Sequence, residues 1–141
     1  MRTLFLASLA AGYGLLGRVE EGFAALAEAM GLVESTGVCI YEAELYRIKG
    51  ELTLKQPEAG SNSKVQEDAE TYFRQALKVA RLQSAKSWEL RAATSLARLL
   101  DKRGRRNEAR AMLAEIYGWF TEGFDTIALK EAKALLDELS G

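Results

Sequence analysis

The sequence has no histidine, one cysteine and one proline in 141 residues. Without histidine, the chain lacks the side chain that most often serves as a general base near neutral pH and most often binds transition metals. The single cysteine, Cys39, excludes an internal disulfide and fits a reducing compartment. One proline beside twelve glycines argues against a loop-rich all-β chain. The uncharged stretch between Arg2 and Arg18 is too short to span a bilayer comfortably. A net charge of -1 predicts no bulk attraction to nucleic acid or anionic lipid.

What is present is helix-forming. Hydrophobic residues at 48% and charged residues at 28% are the balance of a globular domain, read here as a single domain spanning 1–141. Alanine, leucine, glutamate, lysine and arginine dominate, and the apolar spacing predicts seven helices. They cover about 3–16, 19–35, 38–55, 65–83, 86–103, 107–120 and 126–139. Gly17, Gly37 and Gly104 stand where a left-handed residue would end a helix. Ser63 and Gln66 have capping-box spacing, so the fourth helix should begin just after Ser63. Asp125 is placed to cap the last helix, whose Ala128, Ala132, Leu135, Leu136 and Leu139 form one apolar stripe.

The helices pair, and the pairs repeat. The segments starting Glu21-Gly22, Asp68-Ala69 and Glu108-Ala109 each place a large apolar residue four positions after the small one: Leu26, Phe73 and Leu113. The preceding helix of each pair carries its own small residue at Ala10, Gly50 and Ala97. Small residues let two helices approach closely while the large ones fill the space around them. This arrangement resembles the tetratricopeptide repeat, with small residues at the eighth and twentieth positions and a large one at the twenty-fourth. The intervals, 47 residues from Gly22 to Ala69 and 40 from Ala69 to Ala109, exceed the usual length of about 34. The loop around Pro57 and about one extra turn per helix explain the excess.

Longer strings sharpen the resemblance. Glu44 to Leu52, Tyr72 to Leu77, Ser87 to Leu99 and Tyr117 to Thr126, running into Leu129 to Lys133, look like the C-terminal arm of bacterial multidomain regulators. Those regulators also carry a cyclase-like domain and a P-loop ATPase; no Gly-x-x-x-x-Gly-Lys-Ser/Thr occurs here, so only the arm is matched. The resemblance implies an all-α, right-handed solenoid of about three long repeats (3–37, 38–84 and 85–121) with a capping helix over 125–139. It also implies a non-enzymatic protein-interaction module in the cytoplasm.

Other signals carry blander readings. Gly12-Tyr13-Gly14-Leu15-Leu16-Gly17 matches the dinucleotide-binding pattern, but helix-forming residues flank it where strands are required. No cofactor and no metal is expected. Met1-Arg2-Thr3 followed by apolar residues resembles a signal peptide, yet Leu9, Ala10 and Tyr13 occupy repeat positions. Cys39 has no histidine to activate it and reads as a packed thiol. The acidic pairs Glu20/Glu21 and Glu42/Glu44 read as solvated helix faces, and no catalytic residue is assigned. Arg98, Lys102, Arg103, Arg105, Arg106 and Arg110 gather at one corner, but no aromatic is interleaved and a nucleic-acid partner is not favoured.

The first helix of each tetratricopeptide pair lines the concave face, and the resemblance carries that face onto this chain. It implies Leu4, Ala7, Ala11, Gly14 and Leu15, then Glu44, Arg47, Glu51, Leu54 and Lys55, then Arg91, Thr94, Arg98, Asp101 and Lys102. Arg47, Glu51, Leu54, Arg91, Arg98 and Lys102 are the expected contacts for a protein or peptide partner, one with an apolar segment and an acidic end. Ordinary solvated faces are the alternative. The lysine and asparagine of the co-chaperone carboxylate clamp are missing. Around the first helix, Leu4, Phe5, Leu6 and Leu9 leave no polar side, so a neighbour is expected there. That neighbour is either an upstream repeat or a second chain in a homodimer, and a dimerisation unit without a separate ligand is the alternative function.

Overall fold

The structure, a computed structural model, describes residues 9–10, 12, 18–36, 42–56, 62–120 and 126–140. The described chain is all-α: six helices follow one another, with no strand among the described residues. They are α1 (Val19–Thr36), α2 (Glu42–Leu54), α3 (Ser63–Leu82), α4 (Lys86–Lys102), α5 (Arg106–Tyr117) and α6 (Ile127–Ser140). Leu9, Ala10 and Gly12 are helical as well; the rest of the predicted 3–16 span lies outside the described residues, as do 38–41, the expected start of α2.

The helix ends follow local chemistry. At α3 the cap is Asn62 and not Ser63: its backbone is extended, and its Oδ1 accepts from Lys64 N at 2.9 Å and Val65 N at 3.3 Å. An amide oxygen satisfies those first-turn donors as well as a hydroxyl does, so the helix starts one residue earlier than the capping-box spacing suggests. Asp125 lies outside the described residues; Thr126 Oγ1 accepts from Leu129 N at 3.4 Å at the start of α6. α5 stops at Tyr117, short of the expected 120, as Phe120 N donates to Tyr117 O and Trp119 N to Ile116 O. These i to i+3 bonds tighten the last turn and close it.

The α3–α4 and α4–α5 turns are the same turn written twice. Gly104 has φ +79°, as expected, and Ser84 adopts φ +55° at the equivalent place without being glycine. Ala85 N donates to Ala80 O at 2.9 Å and Ser84 N to Arg81 O at 3.1 Å. Arg105 N donates to Leu100 O at 2.8 Å and Gly104 N to Asp101 O at 3.1 Å. Both ends therefore satisfy the last carbonyls through a Schellman motif. Gly17 and Gly37 lie outside the described residues.

Packing follows the small-and-large alternation. Ala10, Gly22 and Leu26, then Gly50, Ala69 and Phe73, then Ala97, Ala109 and Leu113 are all buried. Gly50 carries the tightest contact: a Cβ built there would lie 2.5 Å from Phe73 Cε1, 2.7 Å from Cδ1 and 2.9 Å from Cζ. The Phe73 ring thus lies against bare backbone, which a methyl group would displace. Fully buried Phe73, Leu96, Leu100 and Leu113 each contribute about 1.5–3 kcal/mol of transfer free energy. They belong to a core shared by α3, α4, α5 and α6, while Ala25, Leu26, Ala29, Leu45, Ile48 and Leu52 form a second core between α1 and α2.

Among the described helices, each packs only on helices one or two places away in the chain. α2 touches α1, α3 and α4; α4 touches α2, α3, α5 and α6. α2, α4 and α6 thereby stand in one row.

Candidate functional site

The row of α2, α4 and α6 holds a small charged cleft. It is lined by Arg47 of α2, by Arg91, Thr94, Ser95 and Arg98 of α4, and by Ala128 and Glu131 of α6, and encloses about 40 Å³. Arg91, Thr94, Ser95 and Arg98 share one face of α4 because side chains three and four residues apart align along a helix. Thr94 is buried there and donates its hydroxyl to Leu90 O at 2.8 Å.

Glu44 organises the cleft from below. Its side chain is only 9% exposed, and it accepts from Arg47 Nε at 2.8 and 3.1 Å while pairing with Arg91 Nη1 at 2.8 Å. The reading of Glu44 as part of a solvated face is corrected. α4 packs against α2 and covers the carboxylate, and two guanidinium groups compensate its burial. Its place in the first turn of α2 further favours the negative charge. Arg98 is held differently: Nη2 lies 3.8 Å from Glu131 Oε2, beyond hydrogen-bond distance, and the two side chains are 48% and 54% exposed. Three arginines thus meet two glutamates, an excess of one positive charge.

Of the expected partner contacts, the structure brings Arg47, Arg91 and Arg98 together. Glu51 and Leu54 are half-buried further along α2, with Leu54 packed against the larger core; Lys102 is exposed at the end of α4. None of these three lines the cleft. Leu4, Phe5 and Leu6 lie outside the described residues, and Leu9 is half-buried against the α1–α2 core. Sequence reasoning did not single out Ser95 or Glu131 as site residues, and it read Ala128 as part of the apolar stripe of the last helix. No signal marks these three in the sequence, because their grouping depends on how α6 docks against α4.

A second cluster takes in Arg103 and Arg105 of the basic corner. Glu70 of α3 pairs with Arg74 at 2.9 Å, with Arg105 at 2.8 Å and with Arg103 at 3.2 Å. Glu108 of α5 pairs with Arg105 at 2.7 Å and with Arg74 at 3.2 Å, which closes a ring. With Glu67, 3.9 Å from Arg103, the cluster holds three acids and three arginines and has no net charge. The hydrogen bond from Arg105, reinforced by Arg74, holds the Glu108 carboxyl below the usual glutamate range against an opposing effect of burial. Arg106 donates from Nε to Leu139 O at 3.2 Å and also to Glu138 O, satisfying carbonyls at the end of α6. Arg103 and Arg105 are therefore paired with glutamates and Arg106 ties α5 to the end of α6, which leaves the corner with less positive field than its six basic residues suggest.

One further acid is buried. Glu89, 3% exposed in the first turn of α4, accepts from Arg81 Nε at 2.7 Å. Among the described residues no group of histidine, cysteine or acidic side chains is placed to hold a metal ion. Gly12 is helical, and the remaining residues of the Gly12–Gly17 segment, like Cys39, lie outside the described residues. No described helix is long and apolar enough to cross a membrane. No family model, curated protein or solved structure matches the chain.

Proposed function

We propose that the chain is a non-enzymatic protein-interaction module, a tetratricopeptide-like right-handed solenoid of about three repeats closed by α6. In this reading it serves as the arm of a cytoplasmic bacterial regulatory system and takes an acidic segment of a partner protein on its first-helix face. The observation that carries the reading is the convergence of Arg47, Arg91 and Arg98 from α2 and α4 on one exposed cleft with a positive excess. Two further features support it. The small and large residues at the repeat positions are buried, with Phe73 against Gly50, and the described helices contact only near neighbours in sequence, the pattern of a stacked array.

The test is fluorescence anisotropy with fluorescein-labelled hexaglutamate and hexalysine peptides at low ionic strength. The acidic peptide is expected to bind and the basic one to fail. The double variant Arg91→Gln/Arg98→Gln should weaken hexaglutamate binding about tenfold, since two exposed charge contacts together are worth about 1–2 kcal/mol. Equal binding of both peptides, or an unchanged affinity in the double variant, would refute the reading.

A further inference from the structure

The cleft encloses about 40 Å³, room for a few water molecules at most, and an incoming carboxylate that reaches its arginines competes with the acids already beside them. Arg47 and Arg91 are held by Glu44 at hydrogen-bond distance, and Glu44 is buried. These groups are poor candidates for release, because freeing them would leave a carboxylate uncompensated in the interior. The Arg98–Glu131 contact has the opposite character. At 3.8 Å it is an ion pair without a hydrogen bond, both members are about half exposed, and Glu131 belongs to a separate helix.

The backbone of α6 is fixed in place. Leu129, Ala132, Leu135 and Leu139 are buried in the core, and Arg106 reaches the carbonyls of Glu138 and Leu139. Displacement therefore requires only a rotamer change of the exposed Glu131 side chain and no undocking of the helix. The geometry points to Glu131 as an internal competitor for the cleft, a built-in carboxylate that occupies Arg98 until an acidic side chain of the partner replaces it. This inference rests on the acidic-segment reading above. It makes the affinity of the face adjustable through one residue of the last helix.

The experiment measures labelled hexaglutamate binding to the full chain as wild type, Glu131→Gln, Glu115→Gln and Arg98→Gln, the last also combined with Glu131→Gln. Glu115 is an exposed acid on α5 that does not line the cleft, so its variant removes the same charge elsewhere. Glu131→Gln should bind about threefold to fivefold more tightly, the range of an exposed ion pair, with Glu115→Gln unchanged. In the Arg98→Gln background, Glu131→Gln should have no effect. Wild-type affinity in Glu131→Gln, with the peptide bound by both proteins, would overturn the competitor role and leave the acidic-segment reading standing. Equal gains in Glu131→Gln and Glu115→Gln would overturn it as well, by showing a net-charge effect. Failure of every protein to bind the peptide would sink the acidic-segment reading and the competitor with it.

Discussion

Replacing Gly50 by alanine is expected to destabilise the protein, although the same change in the interior of a helix ordinarily stabilises it. Gly50 lies within α2, so alanine there gains about 0.8–1 kcal/mol in helix propensity. Its Cβ, however, would lie 2.5–2.9 Å from three atoms of the Phe73 ring. Carbon atoms prefer separations of about 3.5–4 Å, so the ring must retreat by about 1 Å. Phe73 is fully buried, and its retreat pushes into occupied space at an overpacking cost of about 1–3 kcal/mol. The balance is a net loss of about 1 kcal/mol, or roughly 3 °C in Tm for a chain of this size. Gly31 in α1 is the internal control, because nothing lies within 4 Å of a Cβ built there. Gly31→Ala should gain about 0.5–1 kcal/mol. Urea unfolding followed by far-UV circular dichroism measures both. Shortening the ring by Phe73→Leu should relieve the clash, so that Gly50→Ala costs about 1 kcal/mol less in that background. If Gly50→Ala proves as stabilising as Gly31→Ala, the interlock of α2 and α3 through Gly50 is wrong, and the repeat reading loses its best-defined contact.

Two other outcomes follow from the turns and the ion-pair ring. Ser84→Gly should stabilise by about 0.5–1 kcal/mol by releasing a non-glycine residue from positive φ, while Gly104→Ala, which imposes that conformation on alanine, should destabilise by a similar amount; urea midpoints decide both. Glu108, whose folded-state pKa is depressed, contributes stability that is present above the unfolded glutamate value and lost as pH falls through the lower folded value. Unfolding free energies measured from pH 6 down to pH 3 should therefore fall less steeply for Glu108→Gln than for the wild type, and equal slopes would show that the ring does not couple to protonation.

The ion pairs that join the helices fall into two groups. Glu70 and Glu108 join α3, α5 and the α4–α5 turn through Arg74, Arg103 and Arg105, while Glu44 joins α2 to α4 beneath the cleft. Arginine is therefore abundant in residues 61–120 for two reasons, and a charge count along the chain cannot separate them. The segment keeps an excess of five positive charges after its own acids, Glu67, Glu70 and Glu108 among them, are counted; Glu44 and Glu131, outside it, pair with Arg91 and Arg98. At the α2–α4–α6 cleft, Arg98 faces a weakly held acid, Glu131.

The amino-acid sequence by itself determined the helices, most of their ends and the buried small and large residues, because these depend on local propensity, caps and a 3.6-residue period. Gly104 was legible as a turn residue for that reason; Ser84 was not, since its positive φ goes with the Schellman hydrogen bonds that end α3 and not with its own preference. Arg47, Arg91 and Arg98 were legible as members of one face, through the resemblance to a repeat. That Glu44 is buried, that Glu89 needs Arg81 and that Glu131 meets Arg98 was decided by tertiary structure alone. Charges have no period of their own: whether a glutamate faces water or an arginine depends on which helix lies over it, and that is settled only when the apolar faces have packed.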